Sequence, residues 1–388
     1  MPVLNRIAGF ADEMTAWRRH LHMHPEIGFE CHETAAYVAE RLREFGVDEV
    51  HEGIGKTGVV AVIHGRGAGP MIGLRSDMDA LAMQETTGKA YASTVAGKMH
   101  ACGHDGHMTM LLGAAKYLAE TRRFSGSVAL IFQPAEEDGG GGKAMIDDGL
   151  FDRFPVAQVY AIHNLPGLEA GHMQTTPGPI LAAVDDFEIH ITGQGGHAAH
   201  PEDTRDPLIA AVAMVQILQS LVSRNTGPMQ QAVLSVTQIH AGTASNVIPD
   251  TAFINGTLRT FDPELRETLL RRLDEVVEGT ASAHGLAARL DVLEGYPATI
   301  NDAEKAAFAA EVAADLVGAD NVDPDVERGM GAEDFSFMLE RKPGAFMYLG
   351  IGPGASLHNP GYDFNDAVAP VGASYFARLV ETAQPLAD

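Results

Sequence analysis

The chain has 388 residues, 45% of them hydrophobic and 20% charged, and a formal net charge of −25. That length suits two domains with a sizeable core, and the acidity, spread along the chain with no Lys/Arg cluster to offset it, argues against nucleic acid and anionic membrane surfaces as partners. No run of about 18 apolar residues predicts a membrane span, residues 1–6 lack a signal pattern, and Cys31 and Cys102 alone make no disulfide framework, so a cytoplasmic location is expected.

In chain order, Met14, Trp17 and Leu21 share a helical face that ends near His24-Pro25. Residues 33–45 repeat apolar positions up to Gly46. Segments 59–63 and 71–74 read as buried strands, 107–120 as a helix and 128–132 as a strand. Gly139 to Gly142 form a bend before a short helix at 143–149, and 156–162 is another strand. Alternation of this kind predicts an α/β domain with a doubly wound, mostly parallel sheet. The rhythm changes at Pro177-Gly178-Pro179. Beyond it come a strand (187–191), a long helix (205–223), two strands (232–239 and 251–258), a helix (263–284) and a strand (288–293). This β-α-β-β-α-β order is the ferredoxin-like pattern. The remainder returns to helix, strand, helix. The predicted organisation is therefore a discontinuous domain of residues 1–178 and 297–388, with an inserted α+β domain at 179–296.

The chemistry concentrates in His100-Ala101-Cys102-Gly103-His104-Asp105-Gly106-His107, where four borderline metal donors fall within one glycine-bent segment. Thiolate, imidazole and carboxylate together suit a zinc-like ion. Further donors close apolar runs downstream: Glu136-Glu137 after Ile131-Phe132-Gln133-Pro134-Ala135, His163 after Val159 to Ile162, and His358 in Ser356-Leu357-His358-Asn359-Pro360. Strand ends are where open α/β sheets build their sites. One of two adjacent carboxylates can bind a metal while the other takes a proton from the attacking water. Asp77 and Asp79, at alternate positions of an extended segment, point to one side, where one can orient a ligating histidine. The Gly193 to Pro201 segment fails as a dinucleotide fingerprint because Pro201 interrupts it, and Gly55-Lys56-Thr57 fails as a phosphate loop because Val50 stands where glycine is required.

These residues, together with Asp77-Met78-Asp79-Ala80-Leu81, Gly195-Gly196-His197-Ala198-Ala199, Asn246-Val247-Ile248-Pro249-Asp250 and Met330-Gly331-Ala332-Glu333-Asp334-Phe335, occur in a family order. The chain resembles the dimetal amidohydrolases that include hippurate hydrolase, aminoacylases and auxin-conjugate hydrolases, over nearly its whole length. It departs at Ala82, where family members usually carry proline. The resemblance implies two divalent metals (zinc, manganese, cobalt or nickel) on Cys102, His104, Glu137, His163 and His358, and a general base at Glu136. It implies that Asp79 orients a ligand, that His197 stabilises the oxyanion, and that Asn246 and Arg259 anchor a substrate carboxylate. It further implies a lid or dimerisation role for the inserted domain and a homodimer, or a tetramer. The expected reaction is hydrolysis of an N-acyl amino acid to a carboxylic acid and a free amino acid. A dipeptidase or carboxypeptidase using the same site is the alternative, and a silent metal-binding protein is disfavoured by the base beside the ligands.

Overall fold

The computed structural model describes residues 1–386 and divides into two compact units, 1–180 with 299–327 and 334–386, and 181–298 with 328–333. The first unit opens with helices α1 (Asn5–Ala8), α2 (Ala11–Met23) and α3 (His32–Glu44) and strands β1 (Glu49–Ile54), β2 (Gly58–His64) and β3 (Gly67–Asp77). There follow α4 (His104–Thr121), β4 (Ser125–Gln133), α5 (Gly141–Asp147), α6 (Leu150–Arg153), β5 (Val156–Pro166), β6 (Met173–Gln174) and β7 (Gly178–Leu181). The second unit contains β8 (Ala183–Thr192), β9 (Gly196–His197), α7 (Pro207–Asn225), β10 (Ala232–Ala241), β11 (Val247–Ile248), β12 (Thr251–Thr260), α8 (Pro263–Ala283) and β13 (Ala287–Glu294). The chain then returns to the first unit with β14 (Thr299–Asn301), α9 (Ala303–Val317), β15 (Val322–Asp323), α10 (Phe335–Leu339), β16 (Gly344–Gly352) and α11 (Ala369–Ala383).

An eight-stranded sheet, β1-β2-β4-β3-β5-β16-β6-β15, organises the first unit. Its centre, β4-β3-β5-β16, is parallel throughout, whereas β1 and β2 add an antiparallel edge. This is a mixed α/β fold with a large, mostly parallel sheet. Strand β1 escapes sequence reading because Glu49-Val50-His51-Glu52-Gly53-Ile54 has little apolar character, and it lies at the solvated edge. Central strands are apolar because both faces are covered; β2 is buried from Gly58 to Ile63. Helix α4 begins at His104, three residues before the expected start, because the left-handed Gly103 (φ +91°) ends the loop immediately ahead of it. The glycine run behaves similarly: α5 starts inside it, at Gly141.

Beneath α4 lies a buried charged network. His22 Nδ1 is 2.7 Å from Asp105 Oδ2, and His22 Nε2 is 3.4 Å from Glu85 Oε2. Arg18, also buried, bonds Asp366 through Nε at 2.6 Å and lies 3.6 Å from Asp105. Burial opposes charge on His22, but Asp105 and Glu85 outweigh it and push its pKa up to about 9. Because the folded value is raised, the stabilisation is fully present below the ordinary histidine value and is lost as pH rises through about 9. Replacing His22 by glutamine is expected to destabilise the protein strongly at pH near 6 and much less near pH 10, a convergence that urea titrations at the two pH values would check.

In the second unit β10-β12-β8-β13 form one antiparallel sheet, with β8-α7-β10-β12-α8-β13 as the element order apart from the short pair β9 and β11. Alternate residues Phe187, Ile189, Ile191, Ile254 and Leu258 enter a core with Met214, Leu218 and Leu221 of α7 and Leu269, Leu273 and Val277 of α8. Asp206 and Asp262 cap the two helices, each accepting from two backbone N–H groups. By length and composition α7 is apolar enough to cross a membrane, although Gln216, Gln219 and Ser220 interrupt its apolar residues. Its face around Ala210, Ala211, Met214, Leu218 and Leu221 is buried, while Leu208, Ile209, Val212 and Ile217 on the other side are exposed.

Candidate metal centre

Strands β4, β3, β5 and β16 run in one direction, so their C-terminal ends collect on one edge of the sheet. Asp77 closes β3, Glu136 and Glu137 follow β4, His163 lies near the end of β5, and His358 sits beyond β16. The loop before α4 adds Cys102, and the helix itself adds His104.

The candidate ligands converge. Donor atoms of Cys102, His104 and His163 lie within 4.8 Å of one another, as do those of Cys102, Glu137 and His358, and those of His104, Glu136 and Glu137. Cys102 Sγ is 3.4 Å from His163 Nε2. Glu137 sets one carboxylate oxygen 3.8 Å from His104 Nε2 and the other 3.4 Å from His358 Nε2.

Two imidazoles of this group, His104 and His163, have the inward nitrogen set by the bond the other nitrogen makes. His104 Nδ1 donates to the Asp79 carbonyl at 2.7 Å, which leaves Nε2 inward. His163 Nδ1 donates to the Asn164 carbonyl at 2.7 Å with the same result. His104 Nε2 and Glu137 Oε1 are buried with no hydrogen-bond partner in the structure. Two orphaned inward-facing donors beside a thiol fit a divalent cation, since leaving such groups unmatched costs free energy.

The electrostatics agree. Burial disfavours a charged His104, yet Asp77, Asp79 and Glu137 push its pKa up to about 10. Burial and the neighbouring His107 push His163 down to about 3, which keeps the ring neutral. Burial, then Glu137 and Glu136, drive the Cys102 thiol well above its usual range. The pocket thus draws positive charge, and its thiol needs a cation in order to ionise.

Asp79 lies outside β3, so the alternation expected for Asp77 and Asp79 stops at Asp77, and the two do different things. The Asp79 carboxylate accepts the backbone N–H of Glu136 at 2.9 Å and of Glu137 at 3.0 Å, while its own carbonyl holds His104. Asp77 accepts from His107 Nδ1 at 2.7 Å and from Arg75 at 2.8 Å. Of the four donors grouped in the sequence, His107 is fully engaged, since its Nε2 accepts from the Asn164 backbone N–H at 3.0 Å. His100 stands buried outside the ligand groups above, with neither ring nitrogen bonded.

Sequence reasoning did not assign Arg75, Asn164, Asp334 or Tyr362 to the site, and it grouped His107 with the metal donors, whereas the ring is held by Asp77 and Asn164. Arg75 is buried between Asp77 and Asp334, with Gln133 on its Nε at 2.9 Å. Asn164 Nδ2 donates to the Cys102 carbonyl, and its Oδ1 accepts from Tyr362 Oη at 2.6 Å. A Cβ on Gly103 would come within 2.4 Å of both Asn164 and Tyr362, and one on Gly106 within 2.3 Å of Phe364, which explains the glycines of the loop. Ala135 (φ 53°) and His358 (φ 58°), one just before Glu136 and the other a candidate ligand, occupy the left-handed region. Strain of that kind is held where surrounding structure over-determines it, commonly at functional sites. Asn164→Ala is expected to lower metal affinity about 10–100-fold with little change in fold, as competition against a chelator would reveal.

His197 and Asn246 lie together in the second unit: His197 pairs with Val247 across β9 and β11, and the Asn246 carbonyl accepts from Ala198 N–H at 3.1 Å. Both are exposed. Arg259 is near the far end of β12, opposite Val184 and Val233. His200 is exposed beside Glu202.

Residues 73–382 match the profile of Peptidase family M20/M25/M40. The chain is 42% identical over 379 residues to a hippurate hydrolase of Campylobacter jejuni, covering 98% of each chain. It is 41% identical over 372 residues to an N-acetyl-L-cysteine deacetylase of Bacillus subtilis, covering 96% of this chain and 87% of that one. A solved dinuclear metal-binding peptidase of the M20 family from Bacillus subtilis superimposes with a TM-score of 0.85 at 35% identity, covering 97% of this chain and 99% of that one. The chain therefore belongs to Peptidase family M20/M25/M40.

Proposed function

We propose that this protein is a metal-dependent amidohydrolase that cleaves N-acyl amino acids to a carboxylic acid and a free amino acid. The observation that carries the reading is the convergence of orphaned donors, His104 Nε2 and Glu137 Oε1, beside Cys102 and next to a second carboxylate, Glu136. Cys102, His104, Glu137, His163 and His358 would hold two divalent ions, with zinc, manganese, cobalt and nickel all compatible with a thiolate, imidazole and carboxylate set. When bound, the ions supply Lewis acidity to the scissile carbonyl and to water.

The residues of the chain do the rest. Glu136 takes a proton from the attacking water and passes it to the leaving nitrogen, so one carboxylate serves as base and then as acid. Asp79 fixes the turn that carries Glu136 while directing His104. His197 donates to the oxyanion from its own or a neighbouring subunit. Asn246 and Arg259 hold the substrate carboxylate, for which a guanidinium is well shaped; Arg259 has no ion pair among the described residues. The inserted segment, predicted as 179–296, acts as a ferredoxin-like lid and dimerisation domain on the discontinuous catalytic domain. A homodimer is supported by the exposed Leu208, Ile209, Val212 and Ile217 of α7, which packs on β10, an edge strand that itself exposes Val233 and Ile239. Such a row of apolar side chains beside an unpaired strand edge suits association.

The test is chelated protein reconstituted with each metal and offered a panel of N-acyl amino acids and dipeptides. Metal-restored release of the amino acid from acylated substrates supports the reading. Cleavage confined to dipeptides moves the assignment to a peptidase, and metal uptake without cleavage of either class overturns it.

A further inference from the structure

A second set of metal donors lies in the other unit. Glu188 and His190 are two residues apart on β8 and so share a face of the sheet. Antiparallel register sets Asp291 of β13 opposite Glu188, and Arg289 opposite His190. His190 Nε2 is 3.3 Å from Glu188 Oε2 and 3.5 Å from Asp291 Oδ2, and the three donor atoms lie within 4.8 Å of one another. Two carboxylates from neighbouring strands therefore aim at one ring nitrogen. A tetrahedral ion with bonds of about 2.0–2.2 Å holds its ligands roughly 3.3–3.6 Å apart, which matches the two spacings from His190. Calcium, with six to eight oxygen ligands at about 2.3–2.6 Å, fits neither the imidazole nor the small donor count.

The ring is also positioned from its other side. Phe253 packs 5.2 Å from His190, centroid to centroid. Both residues line a cavity of about 600 Å³ together with His240, Val247 and Pro249. The competing occupant is Arg289, whose Nη2 is 2.7 Å from Asp291 Oδ2. Its side chain is 69% exposed, so the ion pair that an incoming cation must displace, besides the His190 Nε2–Glu188 contact, is of little net strength.

We propose that Glu188, His190 and Asp291 form a binding site for a divalent transition ion of the zinc class, independent of the ligand set around Cys102. Three protein donors leave one coordination position to water or to an added ligand. Binding there would fix the ring that forms one wall of the cavity.

The experiment counts zinc bound per full-length chain after equilibrium dialysis across a range of free zinc. It compares the wild type with His190→Ala, Glu188→Gln and the double variant Cys102→Ala/His163→Ala, each checked by circular dichroism. The expected result is one zinc fewer per chain in His190→Ala and weakened binding of that same zinc in Glu188→Gln. The Cys102/His163 variant keeps it. Equal zinc binding by the wild type, His190→Ala and Glu188→Gln at every concentration would overturn the site, leaving the three residues as a surface ion-pair cluster. Should His190→Ala fail to fold, Glu188→Gln alone decides.

Discussion

Glu136→Gln is expected to reduce kcat roughly 10²–10⁴-fold while bound metal and KM change little, because the amide keeps the shape of the side chain but cannot accept the proton. One contact that locates residue 136 is made by its backbone N–H to Asp79 Oδ1, so it survives the exchange to glutamine. Metal content by mass spectrometry, set beside steady-state kinetics on an N-acyl amino acid, would separate loss of the base from loss of the ions. A variant that kept its metal and its full turnover would remove Glu136 from the chemistry.

Arg75→Met is expected to be the most destabilising single change near the site. Arg75, Asp77 and Asp334 are all buried, and the guanidinium bonds both carboxylates, at 2.8 and 2.9 Å. Removing one partner from a buried ion group leaves the others desolvated without compensation and costs about 3–5 kcal/mol. That is a large part of the roughly 5–15 kcal/mol that holds a typical domain together. Gln133 and the Gly142 N–H continue to donate to Asp334, at 2.7 and 2.8 Å, so Asp77 bears most of the loss. Asp77 also holds His107 and lies 3.8 Å from His104, so metal affinity should fall along with stability. Urea unfolding with and without added zinc would distinguish the two. A near-normal midpoint in metal-free protein would contradict the assignment of Arg75 as the counter-ion.

Much of this was legible in the sequence because it is local. Apolar strands bounded by Gly and Pro and the donors at strand ends each declare themselves within a few residues. What remained hidden depends on distance in the chain or on backbone atoms. Arg75 meets Asp334 across 259 positions. Asp79 acts on His104 through its carbonyl, which no side-chain pattern reveals. His107 looked equivalent to His104 in the Cys-Gly-His-Asp-Gly-His segment, yet one helical turn takes it to Asp77 and Asn164. Strand β1 is polar, and only its pairing with β2 makes it a strand.

The position of β16 has a consequence for biogenesis. Strand β5 is sandwiched between β3 and β16, yet β16 is reached only after the whole second unit has been made. On the ribosome, one flank of β5 must wait, with Val159 to Ile162 destined for the interior and no neighbour to hydrogen-bond. An unsatisfied apolar strand of this kind recruits strands from other chains. Messages truncated before β16 should therefore yield insoluble chains rather than soluble inactive ones, and because His358 follows β16, the last candidate ligand arrives only once that hazard has closed.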